Sequence, residues 1–335
     1  MLHILPNDLA LDMQAGDLAA TAWSKTSGAP SDLWAITSYF NPIGYRTRRL
    51  NYNIFRERLG VPLLTVELSH GSGFDLGPAD ATILIQLKSD HVMWQKERLL
   101  NLAHEQLPAS CSKVVWIDCD VMFEREDWAW KTSCALDQHA MVQPYSTVFD
   151  LGRGSNLEEP LEPQSIWTRS SMAAQFAAGK LQSGQILTDM VGVYSPGHAW
   201  GIRRDVLRQT GLYDAFIIGG ADHLMAQAAV GRQEELIKIY APTPAHARHA
   251  LAWAARFHRH VDGMGVVAGH LFHLWHGELG GRMYDERHRV LRESEFDPDL
   301  DIEVDAGGCW RWNSDKPRLH AAVRAYFELR KEDGV

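Results

Sequence analysis

Short apolar runs alternating with polar segments of helical spacing dominate the first half of the chain. Trp34 to Phe40 (WAITSYF) predicts a buried strand, broken by Asn41-Pro42-Ile43-Gly44 ahead of a helical stretch from about Tyr45 to Leu59. Pro62 to Val66 and Thr82 to Leu87 are apolar and β-branched, the pattern of two further strands. Val92 to Leu107 places Val92, Leu99, Leu100, Ala103 and Leu107 on one side of a helix, and Lys113 to Ile117 (KVVWI) then predicts a strand that runs straight into Asp118-Cys119-Asp120. Later come a strand near His198 to Arg203, a helix from about Asp205, a turn at Gly219-Gly220, a helix after Asp222, a strand near His270 to Trp275 and a closing amphipathic helix from Arg318 to Lys331. Strands alternating with helices predict an α/β fold, a mainly parallel sheet flanked by helices, with ligands gathered beyond the carboxyl ends of the strands. Asp118 to Asp120 lies at such an end.

The segment Asp150 to Gln164 (DLGRGSNLEEPLEPQ) is rich in Gly, Glu, Pro and Asn and reads as a loop or insertion. It suggests a soft boundary between residues 1–150 and 151–335, with one continuous domain as the alternative.

With 335 residues, 45% of them hydrophobic, the chain can bury a sizeable core in one large domain or two modest ones. Lys plus Arg is 33 and Asp plus Glu is 42, a formal charge of −9, which disfavours nucleic acid as the main partner. Cys111, Cys119, Cys134 and Cys309 form no CxxC pair, so neither a disulfide framework nor structural zinc is expected and a reducing compartment fits. Met1 to Trp23 holds no Lys or Arg and shows no secretory signal, and no segment reaches the ~18 apolar residues of a membrane span. The expectation is a cytoplasmic enzyme, with peripheral membrane contact left open.

An apolar strand ending in D-x-D brings two carboxylates to one point at a sheet edge. Hard oxygen ligands there suit magnesium or manganese carrying a phosphorylated substrate, although one aspartate could instead cap a helix. Asp118-Cys119-Asp120-Val121 also satisfies the D-x-D-x-[TV] string of haloacid-dehalogenase-type phosphatases, in which Asp118 would be the nucleophile. In those enzymes the string follows the first strand, whereas here several elements precede it.

The surrounding motifs are more specific. Trp94-Gln95-Lys96-Glu97-Arg98-Leu99-Leu100-Asn101 precedes the D-x-D, and Gly219-Gly220-Ala221-Asp222 and His273-Leu274-Trp275-His276 follow it. This ordered set resembles the GT-A-fold glycosyltransferases, within them the inverting β-1,4-galactosyltransferase-like branch, whose helix motif F-N-R-A-K-L-L-N, D-V-D, G-G-E-D-D and ligand-x-x-His occur in the same order. The resemblance implies a nucleotide-sugar-binding first half, an acceptor-binding second half and metal-dependent transfer of a hexose, UDP-linked by expectation, to a hydroxyl of a saccharide or other acceptor.

Carried over by residue, the resemblance makes Asp120, His273 and His276 metal ligands and puts Asp118 beside the ribose or the metal's waters. Lys96 would reach the diphosphate, Phe40, Asn41 and Arg46 would deliver donor contacts, and Asp222 would be the base that deprotonates the acceptor. Gly220, Trp200 and Tyr213 would border the acceptor. Ala221 and His223 stand where the family has acids that hold the acceptor sugar, so a different acceptor grip, or a non-catalytic nucleotide-sugar-binding protein, is also open. Arg282-x-Tyr284-x-x-Arg287 reads as a segment that could fold over the donor, and His246 to His260 as a plain surface helix, with a basic face for an anionic acceptor as the alternative.

Overall fold

The computed structural model describes residues 30–181, 194–283 and 286–334; Met1 to Trp23 and Tyr284 lie outside them. The strands in chain order are β1 (Leu33–Phe40), β2 (Leu63–Ser69), β3 (Ile83–Lys88), β4 (Lys113–Ile117), β5 (Val121–Phe123), β6 (Met141–Gln143), β7 (Thr147–Leu151), β8 (Ser165–Ser171), β9 (Tyr194–Ser195), β10 (Ala199–Arg203), β11 (Gly265–Val266), β12 (His270–His273), β13 (Ile302–Val304) and β14 (Trp310–Trp312). A seven-stranded sheet has the order β11-β6-β10-β4-β1-β2-β3, in which β10 alone runs antiparallel to its neighbours. The fold is therefore mixed α/β, a mainly parallel sheet flanked by helices.

Burial on both faces explains the near-continuous apolar runs of its strands. Successive residues of β4 alternate between two cores: Val114 and Trp116 join helices Lys96–Glu105, Ala221–Ala229, Pro244–His258 and Pro317–Leu329, while Val115 and Ile117 join helices Arg46–Arg58 and Trp128–Leu136.

A second sheet, β5-β12-β7-β8-β9, stands beside the end of β4. Its register matters most for function. Parallel pairing of β12 with β7 sets His273 opposite Asp150, and antiparallel pairing with β5 sets His273 opposite Val121, one residue past Asp120. The predicted loop from Asp150 to Gln164 connects β7 and β8, which pair as a hairpin.

Two elements are shorter than the sequence implies. The helix predicted from Val92 starts only at Lys96, because the Trp94 amide donates to the Ile217 carbonyl and the Gln95 side chain bonds both backbone groups of Trp310. Strand β12 ends at His273 because the Leu274 amide leaves the ladder for the Asp120 carbonyl, 2.8 Å away.

Candidate functional site

Beyond the carboxyl end of β4 lies a cavity of about 640 Å³. Lys96, Asp118, Asp120, Gly220, Asp222, His273 and His276, drawn from four separate stretches of sequence, all line it.

At its centre Lys96 Nζ sits 2.6 Å from Asp118 Oδ1 and 2.7 Å from Asp222 Oδ2. Lys96 opens its helix, Asp118 follows β4, and Asp222 is in the first turn of helix Ala221–Ala229. That helix starts at Gly220, whose φ of 110° is open to glycine and costly for other residues. The Trp116 indole N–H approaches the other Asp222 oxygen at 3.4 Å. Burial pushes Asp118 up to about 6 against the opposing charge of Lys96, and pushes neighbouring Glu97 up to about 8, again opposed by Lys96. Three carboxyl groups thus depend on one ammonium.

A second cluster adjoins this one. His276 Nε2 lies 3.1 Å from Asp120 Oδ2, His273 Nε2 lies 3.8 Å from Asp120 Oδ1, and the two Nε2 atoms are 3.0 Å apart. His273 Nδ1 meets Asp150 Oδ1 at 2.6 Å, so that nitrogen carries a proton, and Asp150 is held in turn by Arg169 at 2.7 Å. His276 Nε2 accepts from Arg282 Nη2 at 2.9 Å, so it carries a lone pair. Burial, reinforced by Arg282, pulls the His276 imidazole down to about 4. Burial opposes the charged form of Asp120, but His276, His273 and Arg282 outweigh it and hold the carboxyl below its usual range.

The residues fit a metal. Asp120 Oδ1 is buried without a hydrogen-bond partner among the described residues, and the candidate ligand atoms of Asp120, His273 and His276 lie within 4.8 Å of one another. Converging acceptors of this kind are reconciled only by a cation among them, either a proton on His273 or a metal. Two imidazoles with one carboxylate suit manganese or a later first-row ion better than magnesium, which prefers oxygen throughout. Asp150 stands behind His273 as the carboxylate that would fix the tautomer of a metal-ligating histidine.

The other expected residues divide. Phe40 lines the cavity with its ring edge-on to Trp94 and the Arg48 guanidinium above it. Asn41 instead closes its own turn, with both side-chain atoms bonded to the Tyr45 backbone. Arg46 is absent from the cavity wall; Arg48, two residues on, lines it and pairs with Glu332. Trp200 and Tyr213 are packed in the core rather than along the cavity, because strand β10 and the Tyr213 segment turn these rings inward: Trp200 donates to the Pro196 carbonyl, and the Tyr213 hydroxyl meets His249.

Three contributors were not indicated by any sequence signal. Asp150 reaches the site through strand register. His198 is buried with φ of 70°, a strained conformation for a non-glycine residue, and its Nδ1 faces Asp118 at 3.9 Å. Arg330 stacks over Trp94 and shares Glu332 with Arg48.

No family model matches the chain, and no curated protein matches it. Among solved structures, S. aureus TarS 1-349 in complex with UDP-GlcNAc is similar at 11% identity and a TM-score of 0.36, covering 72% of this chain and 58% of that one. The mannosyltransferase PcManGT from Pyrobaculum calidifontis, in complex with GDP-Man and Mn2+, is similar at 14% identity and a TM-score of 0.35, covering 91% of this chain and 72% of that one. The catalytic domain of Drosophila beta1,4galactosyltransferase 7, in complex with xylobiose, is similar at 10% identity and a TM-score of 0.33, covering 86% of this chain and 98% of that one. The chain thus matches a little over half the length of the first. Likeness at this level decides nothing about activity. Among the described residues, no helix is long and apolar enough to cross a membrane.

Proposed function

We propose that the chain is a metal-dependent glycosyltransferase that moves a hexose from a nucleoside diphosphate sugar, UDP-linked in our reading, to an acceptor hydroxyl with inversion. The observation that carries this reading is the convergence of Lys96, Asp118, Asp120, Asp222, His273 and His276 in one cavity that also holds cationic side chains suited to a diphosphate.

Asp120, His273 and His276 would hold the metal, manganese in preference to magnesium, which when bound neutralises charge on the diphosphate. Arg282, beside His276, and Arg48, over Phe40, complement the same negative charge from the protein side. Asp222 takes the proton from the acceptor hydroxyl as its oxygen bonds to the anomeric carbon. The bond from that carbon to the diphosphate breaks, and the electron pair leaves with the nucleotide. Lys96 orients Asp222 by holding one oxygen, leaving the oxygen near Trp116 to receive the proton.

The test is release of free nucleoside diphosphate from a panel of nucleotide sugars, with manganese and with EDTA. Metal-dependent turnover of one donor, lost in Asp222→Asn while nucleotide binding persists, supports the assignment. Turnover unaffected by Asp222→Asn refutes the role of that residue.

A further inference from the structure

The cavity carries more positive charge than a donor needs. Among the described residues eight cationic side chains line it against four carboxylates, in a chain whose overall formal charge is −9. Asp150, Glu332 and Glu293, outside the wall, offset three of these eight charges through Arg169, Arg48, Arg330 and Arg289. A divalent metal and a sugar-linked diphosphate carry about equal and opposite charge, so their binding leaves the excess in place.

The excess has a location. Helix Arg287–Glu293 begins against the turn that positions Asp222: a Cβ on Gly219 would stand 3.2 Å from Arg287 Nη1, and one on Gly220 would stand 2.9 Å from His288 Nε2. His288 is 4% exposed, lines the cavity and has no hydrogen-bond partner for Nε2 among the described residues, while its ring stacks on Tyr240 at 3.8 Å. Arg289 and Arg292 line the same cavity from this helix. Among the described residues Arg289 pairs with Glu286 and Glu293, groups that are 52%, 57% and 67% exposed, and such surface pairs are weak. Arg292 has the Ala241 carbonyl at 3.3 Å as its described hydrogen-bond partner. The field is felt nearby: burial favours the neutral phenol of Tyr326, yet Arg330 and Arg287 pull it down to about 8.

We infer that the acceptor is itself an anion, a hydroxyl compound bearing a phosphate or carboxylate that Arg289 and Arg292 grip beside His288 while its hydroxyl faces Asp222. This rests on the transferase reading for the identity of the ligand as an acceptor, but the anion site can be tested separately. It also accounts for His223, which lines the cavity, since an acid at that position would repel such a substrate.

Calorimetric titration with glucose, glucose 6-phosphate and glucuronate, each with and without UDP and manganese, reads it out on wild type, Asp120→Ala and Arg289→Ala/Arg292→Ala. Both arginines are exposed, so the double variant should fold, and its melting temperature checks this. At least one anion should bind about tenfold or more tighter than glucose, the double variant should lose that preference, and Asp120→Ala should keep it. The stronger of the two anions identifies phosphate or carboxylate. No measurable binding of either anion, equal binding of glucose, or a preference that survives the double variant overturns the inference. If the anion preference holds but no nucleotide binds, the anion site stands and the transferase reading falls.

Discussion

His273 Nδ1 lies 2.6 Å from Asp150 Oδ1, and this contact, made across two neighbouring parallel strands, aims the opposite ring nitrogen at Asp120 and His276. The proposed metal cluster is therefore set by sheet register as much as by its own side chains. Asp150→Asn should keep the fold yet lower manganese affinity roughly 10- to 100-fold, read by calorimetric titration of the metal alone. Unchanged affinity would show that Asp150 serves only Arg169.

Lys96 is the single described counter-ion between Asp118 and Asp222. Lys96→Met should destabilise the protein by about 3–5 kcal/mol, because buried carboxylates are left uncompensated. Adding Asp222→Asn should recover part of the loss. Urea denaturation of the single and double variants measures both, and a double variant no more stable than Lys96→Met would contradict the coupling.

Gly220→Ala should be destabilising and should lower turnover together. The backbone at φ 110° disfavours any side chain, and the new methyl would meet His288 Nε2 at 2.9 Å, shifting the start of the helix that carries Asp222. Gly44→Ala, also at positive φ but with open space around its Cβ, should cost stability through backbone strain and leave donor binding intact.

Much of this was legible in the sequence. The strand Lys113–Ile117, its D-x-D and the Gly-Gly turn sit where periodicity and motif placed them, whereas the strand of the His-x-x-His stops at His273, short of the expected Trp275. Asp150 was not legible as a site residue because its role arises from pairing with a strand far away in the chain. Trp200 and Tyr213 were misplaced because aromatic residues serve cores and sugar sites alike, and the choice depends on which way a strand faces. The basic segment from His246 misled in a similar way: His246, Trp253 and Phe257 of its helix are buried, so it is only half a surface.

That burial has a consequence in acid. Burial pulls His246 down to about 3, and neither ring nitrogen has a hydrogen-bond partner among the described residues. The unfolded chain would bind this proton near the ordinary value of about 6.5, so the unfolded state holds more protons between the two values and stability falls as pH drops through that window. His246→Leu should remove this contribution. From pH 7 to 5 the wild type should lose on the order of 2 kcal/mol more than the variant, measured by urea denaturation at each pH. Parallel losses in the two proteins would contradict a neutral buried His246.

The most direct measurement is a thermal-shift series with UDP, GDP, CDP and dTDP, each with and without manganese, on wild type and Asp120→Ala. A ligand that binds only the native state raises the melting temperature by mass action, so neither donor sugar nor acceptor need be known. One diphosphate should stabilise the wild type when manganese is present, and Asp120→Ala should abolish that gain. No stabilisation by any nucleotide, or stabilisation that Asp120→Ala leaves intact, would contradict a metal-held diphosphate at Asp120, His273 and His276; trapping by beryllium fluoride in that case would point instead to Asp118 as a phosphatase nucleophile.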